Sequence, residues 1–191
     1  MENPACRKIT FTGSTEVGRE LIRQSADQVK ELSMELGGHA PLVIFDDADL
    51  DKAIEGTMRS AFANCGQVCL GTERVYVQRG IYEAFKTRLV ETAASLKLGP
   101  SDDPKSNMGP LISRKHQAKV LSYYELAAQE GATVLLGGGK PDMPGELKEG
   151  CWVEPTIWEG LDDNARVIRE EIFGPCCHLR PFDTEEEVIA L

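Results

Sequence analysis

The sequence predicts an α/β fold built on a largely parallel sheet. Short β-rich runs, such as residues 9–12 and 74–78, alternate with longer segments whose apolar residues recur at helical spacing. Phe85, Leu89 and Ala93 illustrate that helical spacing. Single strands alternating with helices are typical of parallel sheets, because parallel neighbours need a crossover connection between them. No internal repeat interrupts this order.

The first predicted unit is a strand, a tight turn and a helix. Residues 9–12 are β-rich, Gly13 and Ser14 follow, and the apolar residues of the stretch 17–22 have helical spacing. Such a turn places backbone N–H groups at a helix N-terminus, where an anion such as a pyrophosphate is favoured. Gly13 and Gly18 do not make the G-x-G-x-x-G dinucleotide fingerprint. An ordinary βα turn therefore remains an alternative.

The second predicted strand ends at a candidate general base. Residues 30–35 alternate apolar and polar side chains and run into Leu36 and Gly37. Glu35 thus lies at a strand end beside glycines that allow close backbone approach. A carboxylate shielded there could take a proton from water near neutral pH. The alternative is a solvated glutamate at the end of a strand.

A helix then leads to the stretch FANCGQVCLGTE at residues 62–73. Residues 41–45 predict a strand, and Asp49 offers an N-cap for a helix that runs to this stretch. Cys69 lies in a loop of small residues that a substrate carbon could reach, so it is the candidate nucleophile. The alternative is a small core residue. Cys65, four positions earlier, is either a resolving thiol or a packing residue.

The remaining elements follow the same alternation. Gly137 and Gly150 bound a stretch whose glycines and prolines indicate a surface loop. Predicted strands cover residues 74–78, 133–136, 152–158 and 178–182, and predicted helices cover residues 81–96, 113–129 and the chain end after Thr184.

Composition narrows the function classes. In 191 residues, 21 Lys and Arg face 31 Asp and Glu, and the net charge of -10 argues against nucleic acid and anionic membranes as partners. The six cysteines form no C-x-x-C pair, so neither a zinc site nor a disulfide framework is expected. No metal is predicted. Together with the lack of a leader-like or long apolar segment, this usage favours a reducing, cytoplasmic location.

Histidines and a second acidic motif complete the candidates. His39 lies near the predicted site in sequence, and a Cys69–His39 thiol hydrolase stays open as a hypothesis. His116 and His178 are better interpreted as surface or core imidazoles. Glu171 precedes the turn of the EEIFGP motif, and carboxylates of this kind can accept ribose hydroxyls.

Four motifs, taken in order, resemble those of the aldehyde dehydrogenase superfamily. They are FTGSTEVG at residues 11–18, MELGG at 34–38, NCGQVC at 64–69 and EEIFGP at 170–175. Glu35 and Cys69 are 69 − 35 = 34 positions apart, as expected of base and nucleophile in that family. Later segments, including WVEPTIWEGL, resemble members that oxidise semialdehydes.

The resemblance implies a function for each motif. Cys69 would attack an aldehyde, Glu35 would activate the hydrolytic water, and the cofactor would be NAD. The cofactor-binding residues implied by motif position are Gly13 and Ser14 in the first turn, Leu36 and Gly37 beside the nicotinamide, and Glu171 and Phe173 near its ribose.

The resemblance also implies a domain organisation. Residues 1–36 would be the C-terminal part of an NAD-binding domain, and residues 37–191 a catalytic domain truncated at its C-terminus. The chain is then expected to be the central part of a longer enzyme that forms a homo-oligomer. The asparagine that completes the family's oxyanion hole would lie outside it. A non-catalytic fragment or scaffold is the remaining alternative.

Overall fold

The computed structural model describes residues 1–191, which divide into two compact units. The first unit is Met1–Gly38 and the second is His39–Leu191. The assignment of these units to cofactor and catalytic domains stays a prediction, because the division by itself shows no function.

The first unit is the predicted strand, turn and helix followed by a second strand. Strand β1 is Lys8–Thr12, helix α1 is Thr15–Ser25 and strand β2 is Glu31–Glu35. The two strands pair in parallel over their whole length. Ser14 begins the helix, because its side chain accepts a hydrogen bond from the backbone N–H of Val17.

The second unit holds the remaining helices and strands. Its strands are β3 (Ala40–Ile44), β4 (Thr72–Gln78), β5 (Thr133–Leu136), β6 (Thr156–Glu159) and β7 (Cys176–Phe182). Its helices are α2 (Leu50–Phe62), α3 (Arg79–Ala94), α4 (Arg114–Gln129), α5 (Arg166–Arg169) and α6 (Glu185–Ala190). No helix combines the length and apolar composition needed to cross a membrane.

The five strands of this unit form one sheet in the order β3-β4-β7-β6-β5. Every neighbouring pair is parallel except β5 and β6, which are antiparallel. The predicted α/β class with a largely parallel sheet is therefore confirmed. The order places β7, from the end of the chain, directly beside β4, so the sheet joins segments that are far apart in sequence.

Helix α2 illustrates why these segments fold as predicted. Asp49 caps it by accepting hydrogen bonds from the backbone N–H groups of Asp51 and Lys52. Its buried residues include Ile54, Ala61 and Phe62, which fall on one face at helical spacing. The helix therefore packs its apolar face on the sheet. It ends at Phe62, directly before the segment that contains Cys65 and Cys69.

The core of the second unit lies between the sheet and its helices. Its largest fully buried side chains are Trp158, Phe85, Phe182, Leu89, Ile157, Ile172, Leu179, Val75, Val77, Val120, Val153 and Val167. Strand β4 is buried along most of its length, as expected for a central strand of a parallel sheet.

One predicted strand is too long. Residues 152–158 were expected to be β, but β6 covers only Thr156–Glu159. The Trp152 carbonyl instead accepts a hydrogen bond from the Gln117 side chain, and the Glu154 N–H donates to the Gly139 carbonyl. Because these groups bond to helix α4 and to a loop rather than to a neighbouring strand, the apolar residues here reflect burial and not strand pairing. The loop predicted over residues 137–150 contains a short 3-10 helix, Gly145–Glu149.

Candidate functional site

Cys69 lies in a loop that connects α2 to β4, here called the Cys69 loop (residues 63–71). The loop begins with a 3-10 turn, Ala63–Gly66, in which Asn64 has φ 52° and Cys65 has φ 57°. Non-glycine residues seldom adopt this left-handed conformation, which costs about 1 kcal/mol or more per residue. Asn64 and Gln67 hold it by exchanging two side-chain to carbonyl hydrogen bonds of 3.0 Å.

Cys69 itself lies at the tip of a tight turn. The Gly71 N–H donates to the Val68 carbonyl at 2.8 Å, so Cys69 and Leu70 are the two central residues of the turn. The Cys69 side chain is exposed, whereas the strand that follows is buried. The structure thus presents this thiol on a backbone fixed at both ends, which suits a nucleophile.

Cys65 does not share this exposure. It is buried, and burial raises the pKa of its thiol to about 12. A thiol in that state is protonated at neutral pH and packs as a small apolar side chain. The resolving-thiol alternative for Cys65 is therefore wrong, and the packing alternative is right. Burial likewise raises the pKa of Cys177 to about 12 and that of Cys176 well above its ordinary value.

The EEIFGP motif forms the loop between α5 and β7, here called the Glu171 loop (residues 170–175). Glu170 accepts hydrogen bonds from Arg166 at 2.7 Å and Tyr123 at 2.7 Å, which lower its pKa to about 2. The Lys119 ammonium donates to the Glu171 carbonyl at 2.9 Å. The start of this loop is therefore fixed to α4 and α5.

Phe173 is the most constrained residue of the Glu171 loop. Its φ is 64°, in the left-handed region. Its N–H donates to the carboxylate of Glu73 at 2.7 Å, and its carbonyl lies 2.7 Å from Nε2 of His116. A carbonyl only accepts, so His116 carries its proton on Nε2. Both peptide groups around this residue are thus held by side chains from other elements.

The Cys69 loop and the Glu171 loop pack directly on each other. Gly66 has φ 68°, and a Cβ added to it would overlap the carbonyl oxygen of Gly174. Gly174 in turn has no room for a Cβ, which would lie 2.7 Å from a methyl of Val120. Only glycine fits at Gly66, because both the backbone conformation and the space exclude a side chain. The structure therefore brings the candidate nucleophile loop and the candidate ribose loop together.

His39 does not form a dyad with Cys69. Its imidazole is buried, and its Nε2 lies 3.0 Å from Glu73 Oε2. The angles at this contact fall outside hydrogen-bond geometry, so it is an electrostatic contact that becomes an ion pair when His39 is protonated. The His39 carbonyl accepts from the Arg74 guanidinium at 2.7 Å. This geometry gives the thiol-hydrolase hypothesis no support.

The two other histidines differ from each other. His178 is a core imidazole whose Nε2 accepts the N–H of Leu161 at 3.2 Å. Burial lowers its pKa to about 4, and the positive charge of Arg180 adds to the effect. His116 is half-buried against Phe173, so the expected surface imidazole is instead part of the loop contact. No three His, Cys, Asp or Glu side chains form a cluster that could hold a metal.

The first unit contains the predicted cofactor turn and the candidate base. Gly18 allows Leu36 to pack on α1, since an added Cβ would lie 2.6 Å from a Leu36 methyl. Glu35 ends β2, and its carbonyl accepts the Gly13 N–H at 3.0 Å. The Glu35 side chain is exposed, so the shielding expected around it is not provided within this unit. Gly37, next in the motif, is partly buried.

Comparison with known protein families agrees with the motifs of this chain. A family model described as the aldehyde dehydrogenase family matches residues 1–191. The chain belongs to the aldehyde dehydrogenase family, as its motifs predict.

Two curated relatives oxidise muconic semialdehydes by name. The chain is 59% identical over 190 residues to 2-hydroxymuconic semialdehyde dehydrogenase of Pseudomonas sp. (strain CF600), a match that covers 100% of this chain and 39% of the relative. It is 53% identical over 188 residues to 2-aminomuconic 6-semialdehyde dehydrogenase of Pseudomonas sp., covering 98% and 38%. The chain thus spans 39% of the length of the first relative.

Solved structures agree with the family. The crystal structure of betaine aldehyde dehydrogenase from Staphylococcus aureus in complex with NAD+ matches with a TM-score of 0.94 and 37% sequence identity. The match covers 98% of this chain and 37% of that chain. The fold is therefore that of an aldehyde dehydrogenase.

Three residues near the site were not predicted from the sequence. Glu73 and Lys119 were not singled out, and His116 was expected at the surface. The sequence carries no clear signal for Glu73, because it stands between the polar residues Thr72 and Arg74 at the start of its strand.

Proposed function

We propose that the chain is the central part of an NAD-dependent aldehyde dehydrogenase that oxidises 2-hydroxymuconic semialdehyde to the carboxylic acid. The substrate class follows from the similarity to the two muconic semialdehyde enzymes. Cytoplasmic location and homo-oligomerisation of the complete enzyme remain predictions.

The observation that carries the proposal is the contact between the two motif loops. Gly66 packs on the Gly174 peptide, so the loop that contains the exposed Cys69 contacts the loop that carries Glu171 and Phe173. A thiol that attacks an aldehyde needs a hydride acceptor beside the new carbon–sulfur adduct. The close approach of the two loops at Gly66 and Gly174 supports that proximity.

The residues present fit an NAD cofactor. The first turn of α1 offers backbone N–H donors to a pyrophosphate. The Ser14 hydroxyl oxygen accepts from the Val17 N–H, so its O–H can still donate a hydrogen bond to the pyrophosphate. Leu36 and Gly37 would line the nicotinamide, and Glu171 would hold its ribose. NAD, when bound, supplies the hydride acceptor of the oxidation.

Cys69 performs the covalent chemistry in this proposal. Its thiolate sulfur bonds to the aldehyde carbon, and the carbonyl electron pair moves to oxygen to give a thiohemiacetal. The Cys69 backbone N–H donates one hydrogen bond to that oxyanion. Oxidation of the adduct leaves a thioester on Cys69. Glu35 then removes a proton from the water that attacks the thioester, and the acid and the free thiol are released.

A pair of exposed cysteines provides the direct test. Cys69→Ala in the complete gene product is expected to abolish NADH formation, while Cys6→Ala, at the matched exposed thiol, should leave the rate unchanged. NADH production that survives Cys69→Ala would remove Cys69 as nucleophile.

The hydrolytic step has its own test. Glu35→Gln is expected to retain a single-turnover burst of NADH and to lose most of the steady-state rate, because acylation precedes hydrolysis. An unchanged steady-state rate would exclude Glu35 as the base.

The substrate is tested by competition among aldehydes. The complete enzyme is expected to give a higher kcat/KM with 2-hydroxymuconic semialdehyde than with 2-aminomuconic 6-semialdehyde or betaine aldehyde. A preference for betaine aldehyde would overturn the assignment of the substrate but not the aldehyde chemistry. Micromolar NAD binding by the 191-residue chain alone would contradict the scaffold alternative.

A further inference from the structure

Glu73 is a buried carboxylate placed by an irregularity in the sheet. Its side chain is only 7% exposed. The consecutive residues Ala40 and Pro41 pair with Thr72 and Arg74, so Glu73 is the extra residue of a β-bulge. A bulge interrupts the alternation of side chains along a strand and redirects the extra one. The bulge therefore gives Glu73 a direction that a regular strand would not.

The redirected carboxylate meets backbone donors of the Glu171 loop. It accepts from the Ile172 N–H at 3.0 Å and from the Phe173 N–H at 2.7 Å. His39 Nε2 lies at 3.0 Å on the same carboxylate. Since a buried carboxylate is costly unless hydrogen-bonded, the two backbone N–H donors account for its presence in the core. Neither the family motifs nor the proposed mechanism uses this residue.

These hydrogen bonds fix a strained conformation. Phe173 has φ 64°, a left-handed conformation that a residue with a side chain seldom adopts. Glu73 holds the N–H side of Phe173, and His116 holds its carbonyl side. Without an acceptor at Glu73, the buried Ile172 N–H and the partly buried Phe173 N–H lose their partner, and the left-handed turn loses one of its two restraints.

We propose that Glu73 is a positioning residue that sets the Glu171 loop against the Cys69 loop. It follows Cys69 by 73 − 69 = 4 positions, so the strand that begins after the candidate nucleophile also fixes the loop proposed to hold the nicotinamide ribose. Glu73 acts through the backbone of Ile172 and Phe173 and touches neither substrate nor cofactor in this role. The proposal rests on the function proposed above for Glu171 and Cys69.

Kinetics of Glu73→Gln in the complete gene product tests the role. Glutamine keeps the size of the side chain but replaces one carboxylate oxygen with an NH2 group, so a single neutral oxygen is left to accept from both Ile172 and Phe173. The KM for NAD is expected to rise about tenfold, equivalent to about 1.4 kcal/mol. The KM for the aldehyde, and the rate of Cys69 alkylation by iodoacetamide without NAD, should change less than about twofold, since the thiol turn itself is intact.

Glu159→Gln is the matched control. Glu159 is also a hydrogen-bonded, partly buried glutamate, with Tyr82 at 2.6 Å and Lys86 at 3.3 Å as partners, and it lies at the end of β6 outside both loops. The Glu159→Gln variant should be less stable, but its KM for NAD should not rise relative to its KM for the aldehyde. If both variants raise the two KM values equally, Glu73 is only a stability residue and the proposal is overturned.

Hydrogen exchange gives a test that does not depend on a folded variant. In the unmodified protein, the amides of Ile172 and Phe173 should exchange at least about 100-fold more slowly than free amides, because Glu73 accepts both. Unprotected amides there would overturn the proposal even if Glu73→Gln did not fold. Failure of the proposed function is seen separately, as an unmodified enzyme that does not reduce NAD. Failure of the positioning role leaves that enzyme active and Glu73→Gln indistinguishable from it.

Discussion

Replacing Gly66 with alanine tests the contact between the two loops most directly. Gly66 has φ 68°, and a Cβ there would overlap the Gly174 carbonyl oxygen. The left-handed conformation costs alanine about 1–2 kcal/mol. Relieving the overlap requires a backbone shift, and overpacking of this kind costs about 1–3 kcal/mol. Alanine also restricts the unfolded chain, which returns about 0.4–1 kcal/mol.

The expected net loss is about 1–4.6 kcal/mol in the free energy of unfolding of the second unit. Gly56→Ala is the matched control, because Gly56 lies in the exposed middle of α2 with no atom within 4 Å of an added Cβ. That substitution should stabilise the chain by about 0.5–1 kcal/mol. The two variants therefore move stability in opposite directions although the chemical change is the same.

Urea unfolding of the 191-residue chain measures both effects. Its two tryptophans, Trp152 and Trp158, are buried in the second unit, so their fluorescence reports on this unit. If Gly66→Ala unfolded within about 0.5 kcal/mol of the unmodified chain, the loops would not be in the close contact described, and the reasoning would fail.

Three further predictions concern the cysteines, His178 and Tyr82. Iodoacetamide should label Cys6 and Cys69 rapidly in the native chain, while the three buried cysteines react only after unfolding. Stability should fall by about 3 kcal/mol as the pH drops from 6.5 to 4, because the pKa of His178 falls to about 4 in the folded state and the unfolded state takes up the proton first. In His178→Gln, the free energy of unfolding should fall less over the same pH range. Tyr82→Phe removes the 2.6 Å hydrogen bond to Glu159 and should cost about 1–2 kcal/mol in urea.

Each of these predictions has a clear contrary result. Mass spectrometry that found Cys65 alkylated as fast as Cys69 would contradict the burial of Cys65. If the free energy of unfolding of His178→Gln fell as much between pH 6.5 and 4 as that of the unmodified chain, the pH dependence would come from other groups. A Tyr82→Phe chain as stable as the unmodified one would mean that water replaces the phenol without cost.

Local signals predicted the elements well where a cap and a regular pattern coincide. Asp49 caps α2 as expected, and Thr184 caps the terminal helix by accepting from the Glu187 N–H. The predicted strand over residues 152–158 was too long because an apolar β-rich pattern reports burial, and burial does not require strand pairing. Trp152 and Val153 are buried without lying in the sheet.

The candidate site was predictable only in part. Motif resemblance indicated Cys69 and the Glu171 loop, and the structure places both loops together. Glu73 escaped prediction because its direction depends on a bulge that exists only once β3 pairs with β4. His116 escaped because its partner is a backbone carbonyl, and no residue type marks a carbonyl in the sequence. The role of Glu35 stays a prediction.

The hydrogen bonds between Glu73 and the Glu171 loop link residues 99 and 100 positions apart. During synthesis at about 5–20 residues per second, the ribosome releases Glu73 some 5–20 s before its partners. Throughout that interval the carboxylate lacks its two backbone donors, and the Cys69 loop has no second loop to pack on. The contact between the two loops therefore forms late during translation, and a pause or truncation before residue 172 would leave a nascent chain in which the candidate site is unformed.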